Sequence, residues 1–354
     1  MKPQAQPKPD IRRAATTDGN DTAKTPAPHP FAEVIRTIGR GATLSRPLTE
    51  SEGEAAMDMI LTGKVEPVQL GAFLLLLRYR METPPELAGF VRATRRRLRE
   101  MPDTEVDLDW PSYADRHKQL PYFLLSALLL AAHGIRIVLH GIDGVGDVTT
   151  PKVLRALGIE PATSAAAAEG QLRESRLTYL PLQTICPEMQ KLFDLRPILG
   201  VRSPANSLCR ELNPAGASYQ LQGVFHPTYL PSHSETARLL GQPHAAIFKG
   251  GGGEIQRNPE KPCRVATVDE GVIAEEAWEA MTPSERHPWR DEPADPRRVG
   301  ALWRGELAAP GPEAAVIGTM AIALKLMQRA ATQTEATDLA RQMWRDRPKQ
   351  AYGS

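Results

Sequence analysis

The sequence predicts an α/β protein, with a small all-α N-terminal domain ahead of a larger α/β domain built round a central sheet. Three observations carry this prediction. Apolar residues recur at helical spacing from Phe31 to about Met101. Beyond about Val106 the period shortens, and apolar strand-like runs alternate with helical segments. One of those runs, AAIF at residues 245–248, leads through Lys249 into four glycines, Gly250, Gly251, Gly252 and Gly253. A glycine run after a strand is the usual setting of a ligand loop.

Taken in order, residues 1–28 read as a disordered tail, rich in Pro, Ala, Thr and Lys and almost without large apolar side chains. The all-α domain is expected over residues 29–101. Ile35, Ile38, Leu44 and Leu48 lead into a polar stretch in which Ser51 and Glu54 have the spacing of a capping box. Met57, Ile60 and Leu61 continue that helix. Pro67 opens VQLGAFLLLLRYR, apolar on nearly every face and so expected to be buried among other helices. Pro84 and Pro85 suit the start of the next helix. There Leu87, Phe90, Val91 and Leu98 form one stripe, and Arg92, Arg95, Arg96 and Arg99 repeat at i, i+3, i+4, i+7 on another.

The α/β domain is expected over residues 102–346. IRIVLHG (135–141) reads as a strand, 150–157 as a short helix, LTYLPL (177–182) and AAIFKGG (245–251) as strands, and 188–212 and 313–346 as helical. GIDGVGD (141–147) has the wrong glycine spacing for a dinucleotide fingerprint and reads as a turn, with Thr149 and Thr150 as a helix cap. Residues 190–214 are expected to pack on the helical domain, and residues 347–354 form a tail.

Composition excludes several classes. Apolar residues are 41 % and charged residues 24 %, ordinary for a globular chain, and the net charge of +1 points to no acidic partner by itself. Cys186, Cys209 and Cys263 are odd in number and far apart, so neither a disulfide framework nor a thiolate metal site is expected. The longest apolar run, residues 120–141, is broken by His133 and Arg136 and is too short to span a bilayer. No apolar signal region opens the chain, so a cytoplasmic setting without membrane contact is the expectation.

LTGKVEPVQLGAFLLLLRYRMETPPELAGFVRATR (61–95) resembles the N-terminal helical domain of the anthranilate phosphoribosyltransferase and nucleoside phosphorylase superfamily. LHG (139–141), ALGI (156–159), LGVRSPANSL (199–208) and AAIFKGGGGEI (245–255) follow in that family's order. The resemblance covers roughly residues 31–345 and implies the phosphoribosyltransferase-like fold. The catalytic motifs depart from it. The family's phosphate loop, Gly-Thr-Gly-Gly-Asp, falls on PSYAD (111–115), where Pro111 removes a backbone donor and Tyr113 adds bulk. The phosphate-holding Asn-Ile-Ser-Thr falls on PYFL (121–124). Lys-His-Gly-Asn-Arg falls on LHGID (139–143) and keeps only His140 and Gly141. The magnesium-holding Asp-Glu pair falls on Gly253 and Glu254, so one carboxylate survives. Lys249 stands where the family has serine, and the anthranilate-binding arginine falls on Arg202, with Arg210 added nearby.

Together with IRTIGRG, DWPSYADR, LPYFLLSALL and FKGGGGEIQRNPEK, these departures are similar to the YbiB-like branch of the family. The resemblance implies a homodimer that lacks synthase activity and binds nucleic acid, with the DNA-damage response as the associated process. On that reading Arg92, Arg95, Arg96, Arg99, Arg202, Arg210, Lys249 and Arg257 are the phosphate contacts for DNA or RNA. Lys249 with Gly250–Gly253 is a possible anion loop, and Asp115, His140, Arg202 and Glu254 are a remnant active site. Taken without the family, the arginine stripe fits a solvated helix face as well, and Lys249 a surface turn. No metal or cofactor is expected. The alternative is a phosphoribosyltransferase or phosphorylase with a different acceptor, using magnesium with phosphoribosyl pyrophosphate.

Overall fold

The computed structural model describes residues 27–114, 119–282 and 292–350. Four helices form the first layer: α1 (Phe31–Gly39), α2 (Glu50–Leu61), α3 (Pro67–Arg80) and α4 (Pro84–Arg95). The capping box at the start of α2 lies two residues before the Ser51 and Glu54 spacing. Thr49 Oγ1 accepts from the Glu52 N–H at 3.2 Å, and the Glu52 carboxylate accepts from the Thr49 N–H at 2.9 Å. The reason is the residue just before it. Leu48 is buried, and its N–H donates to the buried Glu86 at 2.8 Å, which fixes where the chain enters the helix.

Phe31, Phe73 and Phe90 pack edge to face in the bundle core, with centroids 5.4 and 5.9 Å apart. The expectation that α3 is covered all round is corrected here. Phe73, Leu74 and Leu77 face inward, but Val68 (79 %), Leu75 (44 %) and Tyr79 (92 %) form an exposed stripe at i, i+7, i+11.

The α/β domain runs β1 (Leu108–Ser112), α5 (Phe123–Ala132), β2 (Ile137–Gly141), α6 (Thr150–Ala156), α7 (Ala165–Ser175) and β3 (Leu177–Pro181). Four short helices follow: α8 (Leu182–Ile185), α9 (Pro187–Asp194), α10 (Arg196–Leu199) and α11 (Ala205–Leu208). Then come β4 (Tyr219–Val224), α12 (Leu230–Leu239), β5 (His244–Lys249), β6 (Cys263–Asp269), β7 (Val272–Trp278), α13 (Arg297–Arg304), α14 (Pro310–Leu326) and α15 (Gln333–Arg345). The sheet order is β3-β2-β1-β4-β5-β6-β7. The first five strands in that order are parallel, and β6 and β7 are antiparallel additions.

Strand alternation separates the two largest cores from each other. Ile137 and Leu139 point to a core shared with α5, α14 and α15, whereas Val138 points to a core shared with the helical layer. In that second core Leu192, Phe193, Ala205, Leu208 and Leu212 join Phe73 and Phe90. The segment around residues 190–214 thus ties the two layers together. Among the described residues no helix is long and apolar enough to cross a membrane.

Candidate ligand cleft at the carboxyl ends of the strands

The chain lays down β1, β2 and β3 toward one edge of the sheet, then β4 and β5 toward the other, so the order reverses between β1 and β4. In such sheets ligands collect beyond the carboxyl ends of the strands at that reversal. The crevice just beyond β1, however, is filled by the protein itself. Pro111 and Ser112 belong to β1, in register with His140 and Gly141. Tyr113 then turns inward and is 1 % exposed. Its hydroxyl shares a 2.7 Å hydrogen bond with His140 Nδ1, and its ring stacks on Phe193 at 5.8 Å. Burial holds the Tyr113 hydroxyl well above its ordinary pKa, so it stays neutral.

Behind it runs a buried polar chain. His140 Nε2 lies 3.2 Å from Asp109, and Gln220 donates to Asp109 at 2.8 Å. Gln222 donates to Gln220 and Glu211, and Glu211 lies 2.7 Å from His233 Nδ1. This buried network anchors the strand ends, although Asp109 Oδ1, His140 Nε2 and Glu211 Oε1 make ion-pair approaches without a hydrogen bond among the described residues.

Of the expected remnant site, His140 and Glu254 come together through Tyr113 and Ala114. Glu254 accepts from the Ala114 N–H at 2.7 Å, and its second oxygen is buried without a hydrogen-bond partner among the described residues. Asp115 and the basic cluster Arg116, His117 and Lys118 lie outside the described residues. The residues present do not fit a magnesium ion. Gly253 brings no ligand, and the described residues hold no group of three or more His, Cys, Asp or Glu able to bind a metal.

The glycine run closes on itself. The N–H groups of Gly250, Gly251, Gly253 and Glu254 donate to the carbonyls of Val224, Gln256, Gly250 and Gly251 at 2.8–3.3 Å. Most of its backbone donors are therefore occupied, and as a cradle of N–H groups for an anion the expectation is corrected. Lys249 remains, exposed at the end of β5, beside the exposed Lys261. Neither has a carboxylate partner among the described residues.

The arginine stripe is also corrected. α4 ends at Arg95, so Arg99 lies beyond the helix and the turn that follows it, in an exposed segment. Arg92 pairs with Glu50 at 2.6 Å, Arg96 pairs with Glu54, and Arg97 pairs with Asp58 at 3.0 Å. Glu50, Glu54 and Asp58 repeat every four residues along α2, so the two helices carry complementary charge. Arg95 turns inward and donates to the carbonyls of Leu212 and Glu211 at 2.9 and 3.0 Å. Burial lowers its pKa, partly offset by the Glu211 and Asp109 carboxylates. Arg257 is 2 % exposed, donates to the Glu279 carbonyl and lies 5.2 Å from the Trp278 ring centre. Arg257 is buried, and Arg95, though partly exposed, directs its guanidinium to backbone carbonyls, so both act within the fold.

What lies open is a cleft of about 200 Å³ between α3, the 202–210 segment and the carboxyl end of β4, lined by Arg78, Arg202 and Arg210. Arg210 is 8 % exposed and donates to the carbonyls of Asn206 and Gly253. A second cavity of about 460 Å³ is lined by Lys249, the glycine run and Lys261. The two meet at Phe225 and His226, which line both. Phe225, His226 and Tyr229 follow β4 in a row, with centroids 4.7 and 6.5 Å apart. The Tyr229 hydroxyl reaches Met81 Sδ at 3.8 Å across the gap between the layers. Arg78, Phe225, His226, Tyr229 and Lys261 were not singled out from the sequence. The signal that points to them is FHPTY, an aromatic cluster directly after the apolar end of a strand.

Residues 32–98 match the helical bundle domain of a glycosyl transferase family, and residues 121–346 match its a/b domain. An anthranilate phosphoribosyltransferase of Beijerinckia indica subsp. indica is 31 % identical over 246 residues, covering 69 % of this chain and 70 % of that protein. The uncharacterized protein YbiB of Escherichia coli is 28 % identical over 245 residues, covering 68 % and 76 %. The crystal structure of the anthranilate phosphoribosyltransferase of Thermus thermophilus aligns with a TM-score of 0.72 at 25 % identity, over 84 % of this chain and 92 % of that one. The Saccharomyces cerevisiae enzyme in complex with PRPP and Mg shares the fold, with a TM-score of 0.72 over 89 % and 93 % of the two chains, at 18 % identity. With both of its domains matched, the chain belongs to glycosyl transferase family 3, and among its relatives it is similar to YbiB.

Proposed function

We propose that the chain binds DNA or RNA without reading sequence, as a cytoplasmic homodimer that needs no cofactor and has no anthranilate phosphoribosyltransferase activity. The observation that carries the reading is the exposed cationic surface on both sides of Phe225 and His226, with Arg78 on one side and Lys249 and Lys261 on the other. Such cations neutralise phosphates with release of counterions, which gives affinity without base recognition. The exposed stripe Val68, Leu75 and Tyr79 on α3 supports the dimer, since a large uncovered apolar face needs a partner.

Fluorescence anisotropy with a labelled oligonucleotide across a salt series tests this. The logarithm of the affinity falls linearly with the logarithm of salt concentration. Arg78→Ala, Lys249→Ala and Lys261→Ala each make that slope shallower by about 0.7–0.9 for every phosphate contact removed. Absence of binding at low salt overturns the reading.

The orphaned second oxygen of Glu254 favours one alternative, transfer of a phosphoribosyl group to another acceptor. Turnover of phosphoribosyl pyrophosphate with magnesium, abolished by Glu254→Gln, supports that alternative instead.

A further inference from the structure

Resting on the nucleic-acid reading, we infer that the ligand is single-stranded and that its bases stack on the aromatic step Phe225, His226 and Tyr229. The step is placed by the sheet. Val224 is the last residue of β4 and pairs with Lys249, the last residue of β5, so Phe225 leaves the sheet where the glycine run begins. It is 41 % exposed although it is a phenylalanine in the middle of a cleft. His226 is exposed beside it, and Tyr229 is half-buried and held against Met81.

The glycine run explains the exposure. A Cβ built on Gly253 lies 3.6 Å from the Phe225 Cβ, so the loop passes directly alongside the ring's attachment. A side chain at position 253 would stand beside the aromatic step, whereas glycine leaves it open. Gly253 thus keeps a stacking surface clear.

The charges complete the geometry. Arg78 and Arg202 line the cleft on one side of Phe225, and Lys249 and Lys261 line the other. A strand crossing the step places phosphates at both flanks and bases over the rings. Base faces are hidden inside a duplex and open in a single strand, so such a site selects unpaired strands by stacking, with little regard for base identity.

The test uses the full chain and three fluorescent probes of equal length, about 20 nucleotides: oligothymidylate, an abasic deoxyribose-phosphate strand and a duplex. Oligothymidylate binds tighter than both other probes. Phe225→Ala weakens oligothymidylate binding by about tenfold or more and leaves the abasic strand unchanged. Because stacking is uncharged, the salt slope stays the same. Phe225→Trp retains the preference, and Phe225→Leu, which keeps apolar bulk without a ring, loses it. Equal affinity for oligothymidylate and abasic strand, or an unchanged Phe225→Ala variant, overturns the stacking inference while leaving the phosphate-binding reading intact. If none of the three probes binds at low salt, the underlying reading itself fails.

Discussion

Gly250 and Gly252 stand two residues apart and need to be glycine for different reasons. Gly250 has an ordinary φ of −100°, but a Cβ there would sit 1.5 Å from the Glu254 carbonyl oxygen. Gly252 has φ +68° with open space around its Cβ position. Gly252→Ala therefore costs about 1–2 kcal/mol, the penalty of a left-handed conformation. Gly250→Ala requires the loop backbone to move and costs more than Gly252→Ala in urea unfolding. Equal costs would mean that the loop does not close on Glu254. Glu82 is the acidic residue to watch beside the cleft. Burial holds its carboxyl above its ordinary 4.5, with Arg78 pulling the other way. A raised carboxyl keeps a proton in the folded state that the unfolded chain has already lost. Its contribution to stability is therefore present at low pH and fades as pH rises through the folded value. Glu82→Gln removes that loss, so at neutral pH the variant melts higher than the parent. The same substitution strengthens polyanion binding at neutral pH, because one negative charge leaves the neighbourhood of Arg78. Thermal melts and anisotropy over about pH 5–8 check both effects.

The helix pair α2 and α4 shows how a charge pattern changes meaning once its neighbour is known. Read alone, the four arginines fit a solvated face or a phosphate track. The acidic repeat Glu50, Glu54 and Asp58 faces them, and Arg95 leaves the stripe to cap carbonyls of the 209–212 turn. Arg95→Ala strips the partner from two carbonyls and lowers stability by about 2 kcal/mol or more, while the salt slope of nucleic-acid binding stays unchanged. A shallower slope at wild-type stability would return Arg95 to the ligand. The strands divide along similar lines. β2, β3 and β5 are legible as continuous apolar runs because they are parallel and covered on both faces. β1 and β4 are not, since LDWPS and YQLQGV bury Asp109, Gln220 and Gln222 in a polar chain that only the assembled sheet supplies. β7 is an edge strand with Val272, Ile273 and Glu275 facing solvent, so alternation fails there too. The hairpin between β6 and β7 is legible in retrospect from Glu270 and Gly271, both with positive φ, as a two-residue turn demands. In the cleft, Lys249, Arg202 and the glycine run follow from their motifs. Arg78, Phe225 and Lys261 gain meaning only when three distant segments meet.

At the scale of the molecule, two surfaces ask for partners: the cationic aromatic cleft and the apolar stripe of α3. They are adjacent, because Arg78 of the cleft precedes Tyr79 of the stripe on the same helix. A two-fold partner seated on the stripe brings a second cleft close to the first, and a long strand then engages both at high effective concentration. Tyr79→Ser with Leu75→Ser removes that apolar contact without placing charge beside Arg78, and leaves the inward residues Phe73, Leu74 and Leu77 untouched. Sedimentation velocity then gives a folded monomer where the parent chain sediments as a dimer. An oligonucleotide too short to bridge two clefts binds the variant as it binds the parent. A long strand binds the variant more weakly, by a factor of about 10² or more if both clefts are engaged together. A parent chain that sediments as a monomer at micromolar concentration removes the dimer. A dimer whose long-strand affinity survives the double substitution shows that each cleft acts alone.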